Sequence, residues 1–466
     1  MVITAIFTHI YIIPYFHDSN ITNLQPNKEI NIIDHMMYET IIIGAGAAGL
    51  FCAAHMTDKS KRVIVLEGSN RPGLKLLVSS SGQCNFTHGG SMEDYLDKYG
   101  QNGRKIRKVL NTYTNQDVIE FFEKAGLKTW EREDGKVFPA SKKAQDVLDV
   151  LMEKIKANGV EMRYGAKVLG LREITEGNED KPRWQVQLEN GESIEADNVV
   201  VATGGITYPK TGSDGSMFQV LENLGGVKIN KPGAALAPIF VEGYGFTGIS
   251  GVSIGGCVIS KIQEKVKKKD RVDDYKEDLL FTHKNLSGPL ILNYSRYLNN
   301  GDKFKIDFLP EGFHSGDHLP YKGCRKNILN LLGEETGLPK AFLELVAKRA
   351  AERFLKASGE QVDCQLEKLL AEKAASLPGN FLKQVEELIR GYQFTVSGKG
   401  ALDVAMVTAG GVPMGEVSPG TMELKKHPGL HLAGEILDVD GNTGGYNIQF
   451  AFSSSYIAAQ HILQLP

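Results

Sequence analysis

The chain has 466 residues, with 53 Lys plus Arg against 56 Asp plus Glu, so its formal net charge is −3. That balance supplies no broad positive field for nucleic acid or anionic lipid, and 42% hydrophobic with 23% charged residues excludes a disordered chain. Glycine is in excess: 51 residues, about 11% against an average near 7%, gathered in short clusters without a collagen period. Such clusters in a chain long enough for roughly three structural units point to backbone that must approach something closely.

Residues 1–17 are apolar but hold no Lys or Arg, and no small-residue cleavage site follows, which argues against a secretory signal. Residues 1–36 are expected to be a disordered extension or an over-read start, because Met36 and Met37 stand directly before the first convincing strand. No apolar run reaches the roughly 18 residues needed to span a bilayer. Cys52, Cys84, Cys257, Cys324 and Cys364 form no C-x-x-C pair, so reduced thiols, a cytoplasmic location and no metal site are expected.

From Tyr38 the sequence reads YETIIIGAGAAGLFCAAHM: a buried strand at 40–43, then Gly44-Ala-Gly46-Ala47-Ala48-Gly49, then an Ala-rich helix. Gly44 lets the chain turn, Gly46 lets backbone amides approach a pyrophosphate, and Gly49 permits close helix–strand packing at a helix N-terminus that favours negative charge. A second strand at 62–66 ends in Glu67, an acid placed to accept from ribose hydroxyls. Glu67 argues against a 2′-phosphate and leaves NAD and FAD open. Residues 71–88, RPGLKLLVSSSGQCNFTH, are polar and small where a simple NAD domain would start its next helix, which suits an extended cofactor lying along the loop.

Helices are expected near 106–110, 115–124 and 142–158, then a strand at 160–164. Strands at 184–188 and 193–196 flank Asn190-Gly191, a two-residue hairpin signal, and a further buried strand at 198–201 ends in Ala202-Thr203-Gly204-Gly205. Residues 216–322 read as short β-rich runs; the self-cancelling charge run at 265–278 reads as a solvated hairpin tip. Residues 323–390 turn helical, with Phe342, Leu345, Val346 and Leu355 and later Phe381, Val385, Leu388 and Ile389 at helical spacing. A strand at 393–396 leads back to the nucleotide domain. A short strand at 429–433 ends in Gly434-Glu435, and Gly444-Gly445-Tyr446-Asn447 opens a last helix to about 463.

The pairing of GAGAAG with KLLVSSSGQCN resembles the flavoprotein family that includes aminoacetone oxidase and a bacterial dehydro-bile-acid reductase. The blocks beginning at Glu131, Val199, Phe281 and Val407 extend the resemblance from about residue 38 to the C-terminus. It implies an α/β fold: a discontinuous Rossmann-like FAD-binding domain (37–215 and 393–466), an inserted β-rich substrate domain (216–322) and a small helical subdomain (323–392). It implies FAD held by Gly44, Gly46, Ala47, Ala48, Gly49 and Glu67; by Lys75, Ser79, Gln83, Cys84 and Asn85; and by Val168, Thr203 and Gly204. Gly434, Glu435, Gly445, Tyr446, Asn447 and Ile448 complete the set, Glu435 beside the ribityl chain and the last helix start facing the isoalloxazine N1/C2=O edge. Gln83, His88, Lys136, Lys284-Asn285 and Leu424 depart from the family's usual residues and bear on the substrate side.

With one dinucleotide fingerprint and no dithiol, a disulfide reductase is not indicated. The leading expectation is hydride transfer at flavin N5, with NAD(P)H as transient donor, to an activated C=C bond of a steroid-like or enone small molecule. Oxygen-dependent oxidation of a small amine such as aminoacetone competes. A flavin-containing RNA-modifying protein and a non-catalytic flavin-binding scaffold are weaker readings, and neither nucleic-acid nor membrane partners are expected. A reductase of bulky substrates calls for an apolar pocket, an amine oxidase for an aromatic or acidic cage. His88, His283 and Tyr446 are titratable groups near the expected site, and none is assigned as catalytic; oligomeric state is left open.

Overall fold

A computed structural model describes residues 37–174, 182–263, 271–309, 321–359 and 362–465. The expected N-terminal extension and the start of the 265–278 charge run lie outside the described residues. The central sheet grows from strand β1 (Met37–Ile43), which runs parallel to β2 (Val63–Glu67) on one side and β3 (Ser193–Val201) on the other. Ile41, Ile42, Val65, Val199 and Val200 are all fully buried, without alternation. Parallel strands covered by helices on both faces read this way.

Glu161–Tyr164 continues the sheet beyond β2. The far edge of β3 is shared: Arg183–Leu188 pairs antiparallel with its first half, and Leu430–Leu432 pairs parallel with its second half. The separate strands expected at 193–196 and 198–201 are therefore one strand. Asn198 does not break it, because its amide donates to Glu39 O at 3.2 Å. Helix α1 (Ala47–Ala54) packs against the C-terminal helix α2 (Tyr446–Gln464), where Phe51 stacks on Phe452 with ring centroids 4.2 Å apart. The last 40 residues thus complete a layer begun by the first described ones.

The inserted part is a closed barrel of six strands: Ile239–Val241, Leu286–Ser287, Tyr275–Phe281, Ser253–Lys261, Lys303–Asp307 and Tyr392–Lys399. Closure removes the exposed edges that short strands would otherwise present. Helices Ile328–Thr336, Lys340–Ser358 and Gly379–Gly391 pack against it, so that Phe342, Val346, Phe381 and Val385 share one apolar core with Phe281, Phe304, Phe308 and Val396. The strand expected at 393–396 is longer, Tyr392–Lys399, and closes the barrel. A two-stranded ribbon, Asn230–Ala235 with Val407–Gly411, carries the chain out to the barrel and back. Among the described residues no helix is long and apolar enough to cross a membrane.

Candidate functional site

At the end of β1 each glycine of the turn has a different physical reason. Gly44 adopts φ +100°, and a Cβ there would lie 2.7 Å from Ala202 O. A Cβ on Gly49 would lie 1.8 Å from Gly44 O, so only glycine lets α1 sit this close to the strand end. Gly46 has no atom within 4 Å of where its Cβ would be, and it lines the cavity. The turn is thus closed on its protein side and open on the other. Glu67 is fixed at the end of β2 by two backbone donors, Ala45 N to Oε2 at 2.7 Å and Ser69 N to Oε1 at 2.8 Å.

The open side faces a cavity of about 940 Å³, near the top of the range for ligand pockets. Its lining includes Glu67, Lys167, Val168 and Asp214 from the nucleotide domain and Leu236, Leu292 and Asn442 from segments distant in sequence. The stretch after β2 lines it too, and it is not all loop as the sequence suggested: a short helix, Leu74–Val78, precedes a tight turn at Ser79–Gly82. Ser80, Ser81 and Cys84 adopt φ of 48°, 56° and 57° there, a left-handed conformation that costs about 1–2 kcal/mol for a non-glycine residue. Three such residues within five positions mark a backbone shaped by something other than its own preference.

Of the residues expected to touch a cofactor, Gly44, Gly46, Ala47, Ala48, Glu67, Lys75, Ser79, Gln83, Asn85, Val168, Thr203, Gly204, Glu435, Gly445, Asn447 and Ile448 line this one cavity. Gly49, Cys84, Gly434 and Tyr446 do not. Gly49 is spent on the α1 contact. Cys84 is fully buried in the apolar core, which pushes its thiol up to about 12. Gly434 backs onto Ala48, whose Cβ would lie 2.8 Å from a Cβ at that position. The Tyr446 ring stacks on His88 at 4.9 Å and meets Tyr95 edge-on at 4.9 Å, and burial raises its phenol well above the usual range. His88 lies in that aromatic cluster, and His283 is exposed on the barrel.

Glu435 is not isolated in the cavity wall. Lys75 Nζ lies 2.6 Å from Glu435 Oε2 and donates to Thr207 Oγ1 at 2.8 Å, while Thr408 N donates to Glu435 Oε1 at 2.7 Å. This links the loop after β2, the segment after β3 and the ribbon. At the other wall α2 starts at Gly445 with no side-chain cap and no acidic residue in its first turn. The amides of Tyr446, Asn447 and Ile448 have no acceptor within their own helix, and the helix dipole adds positive potential there. Asn447 secures the preceding loop by accepting from Gly441 N at 2.7 Å and donating to Gly441 O at 3.0 Å.

The sequence reading gave the inserted domain to the substrate but named none of the residues by which the barrel reaches the site. Arg296 donates from Nη1 to Asp440 O at 2.7 Å and from Nη2 to Asn442 Oδ1 at 2.9 Å, and its Nε lies 3.2 Å from Asp440 Oδ2. Asn293 Oδ1 accepts from Thr443 N at 2.8 Å. Asn442 and Thr443 line the cavity, so the barrel holds the loop that leads into α2. Leu236, Pro289, Leu292, Met406 and Val407 form an apolar wall, with Arg132 and Lys136 also among the lining residues. These residues fit no spacing motif. The lining segment around Tyr208–Asp214 lies in the block beginning at Val199, but nothing local says which of its residues face inward.

A parallel sheet whose first strand enters a glycine turn and a helix, with an acid ending the second strand and a long cavity above both, defines a Rossmann-type dinucleotide-binding enzyme. Residues 38–461 match the HI0933-like protein Rossmann domain, and the chain belongs to that family. It is an FAD-dependent oxidoreductase. The chain is 32% identical over 436 residues to the ribosomal RNA dihydrouridine synthase of Haemophilus influenzae, covering 91% of this chain and 98% of that one. It is 28% identical over 432 residues to the Escherichia coli protein of the same name, covering 91% and 98%. It is 29% identical over 447 residues to the 3-dehydro-bile acid delta(4,6)-reductase of Clostridium scindens, covering 91% and 99%. The cavity fits FAD on its own evidence: the open face at Gly46, the length of the lining, and Thr203 Oγ1, buried without a hydrogen-bond partner among the described residues.

Proposed function

We propose that this protein reduces a carbon–carbon double bond conjugated to a carbonyl, with NAD(P)H as electron donor. The observation that carries this reading is the cavity lining, where Leu236, Pro289, Leu292, Met406 and Val407 offer apolar surface in the same chamber as Arg132 and Lys136, and Leu236, Leu292 and Val407 pack together. Such a face packs a flat, largely apolar ring. An amine oxidase calls instead for an aromatic or acidic cage, and each lining carboxylate is already engaged: Glu67 by two backbone amides, Asp214 by Lys167 and Glu435 by Lys75.

FAD, when bound, supplies hydride transfer to the substrate after being reduced by the nicotinamide. In this reading Glu67 accepts from the adenosine ribose, and the Gly44–Gly49 turn and the start of α1 meet the pyrophosphate. Lys75 and Glu435 lie along the ribityl chain, and the amides at the start of α2 stabilise negative charge at the ring edge. Arg132 and Lys136 line the same chamber and share Asp134, Arg132 Nη2 at 2.5 Å and Lys136 Nζ at 2.6 Å from its Oδ2, so these three groups together carry one positive charge. That charge would polarise the substrate carbonyl as hydride reaches the β-carbon; a proton at the α-carbon completes the reduction.

A second substrate class has specific support. Dihydrouridine is uridine whose C5=C6 bond, conjugated to the C4 carbonyl, has been reduced, and two full-length relatives carry that activity in their names. The bond type is the one proposed here, and Arg71, Arg132, Lys136 and Lys210 line the cavity. The net charge of −3 then calls for local rather than global complementarity to RNA.

Anaerobic mixing tests the reading, followed at the oxidised-flavin absorbance of roughly 450 nm. Bleaching by NADPH or NADH is expected, with colour restored by a conjugated ketone or by ribosomal RNA, whichever is the substrate. Bleaching by aminoacetone and by neither nicotinamide would overturn it. Glu67→Ala is expected to weaken FAD binding about tenfold to a hundredfold, the equivalent of charge-assisted hydrogen bonds worth ~1.5–3 kcal/mol. Titration of the apoprotein with FAD, alongside its circular dichroism, measures this; unchanged affinity in a folded variant removes the ribose role.

A further inference from the structure

Away from the cavity, three potential metal ligands converge that no sequence motif connects. His431 sits in the strand Leu430–Leu432, fully buried between two fully buried leucines. Glu423 forms an antiparallel bridge with His431, and His461 lies in the last turn of α2. The two imidazole rings have centroids 5.5 Å apart. One ligand atom from each of Glu423, His431 and His461 lies within 4.8 Å of the others. From these observations we propose that Glu423, His431 and His461 form a binding site for a divalent transition-metal ion, zinc being the best match.

The donor chemistry selects the ion. Two imidazoles and a carboxylate are a borderline nitrogen–oxygen set that suits zinc and its neighbours, whereas calcium and magnesium require mainly oxygen. A tetrahedral zinc site has ligand atoms about 3.4 Å apart, given zinc–ligand bonds of about 2.0–2.1 Å, so the ion would draw the side chains inward. Glu423 keeps a carboxylate oxygen for this, since only Oε1 is engaged by Gly429 N, at 2.7 Å. The C-terminal end of α2 also favours a cation, because its unpaired carbonyls carry partial negative charge. The ion would fasten the end of α2 to the strand leading into Gly434 and Glu435. It would have three protein ligands and a fourth position open to water or another small ligand, and none of the three lines the flavin cavity.

The full-length protein, stripped with chelator and dialysed, is titrated with zinc against a chromophoric chelator and, separately, with cobalt. One equivalent of zinc is expected to bind, to raise the melting temperature, and to be replaced by cobalt with the visible absorption of a tetrahedral ion. His461→Gln and Glu423→Gln are each expected to weaken zinc binding at least about 10–100-fold and to abolish the thermal shift, with circular dichroism unchanged. Using His461 and Glu423 avoids disturbing the buried His431. Failure of the wild-type protein to bind zinc, or equal binding by wild type and both variants, overturns the site.

Discussion

Replacing Arg296 with Met is expected to destabilise the protein by about 3–5 kcal/mol, among the largest effects available from one side chain here. Arg296 and Asp440 form an ion pair whose side chains are only 7% and 8% exposed. Burial raises the Asp440 carboxyl above its usual range, and Arg296 is the principal group opposing that. Met fills similar volume and takes from the carboxylate its paired counter-charge, leaving only Lys399 to interact with it in a medium that solvates it poorly. The same change removes the donors to Asp440 O and Asn442 Oδ1, freeing the loop that leads into α2. Denaturant unfolding measures the loss, and flavin content of the purified protein should fall with it. Adding Asp440→Asn should return part of the stability by neutralising the stranded charge. If the single variant is as stable as wild type, the buried pair contributes nothing and the account of the loop fails.

The second large effect is a pH dependence located at His55. Its ring lies among Phe51, Phe121, Tyr113 and Tyr456, with centroid distances of 4.5, 4.8, 5.7 and 5.1 Å, and its Nδ1 is 2.9 Å from Phe51 O. Burial lowers its pKa from 6.5 to about 4, with Lys154 adding to the shift and the bond to Phe51 O opposing it. The folded protein therefore holds His55 neutral where the unfolded chain would protonate it. Above about pH 6.5 neither state binds the proton and nothing is lost. As pH falls from there toward 4 the unfolded state gains protons first, and stability drops by up to about 3 kcal/mol. His55→Leu is expected to flatten that part of the stability curve. The readout is the difference in slope between pH 6.5 and 4, which is insensitive to whatever Leu does to packing at all pH values. Parallel curves for the two proteins would assign the acid sensitivity elsewhere.

Much of the nucleotide end was legible because its constraints are local. A buried strand, three glycines with separate duties and an acid after the next strand lie within one βαβ unit. The observed Gly44 conformation and the Gly49 contact follow from backbone sterics over a few residues. Helix Asn115–Lys124 appears at its expected bounds, helped by a capping box between Thr114 and Asp117 that is visible in the sequence. The start of α2 was equally readable.

The direction of the Tyr446 side chain was not. Neighbouring positions in a helix point about 100° apart, and what turned Tyr446 from the cavity is the cluster of His88, Tyr95 and Tyr99, supplied by a distant stretch of chain. The barrel was harder still. The sequence suggested short strands, yet not that Ile239–Val241 pairs with the far-removed Tyr392–Lys399, because period-two patterning carries no information about partner or register.

The strand–turn–helix unit and Glu67 determined by themselves that this chain builds a dinucleotide-binding α/β domain, since each depends on contacts between residues near in sequence. Tertiary structure decided which residues face the cavity, that the barrel's Arg296 and Asn293 hold one of its walls, and that Glu423, His431 and His461 meet. Those depend on long-range packing and buried charge, whose energies exist only once distant segments have excluded water from between them.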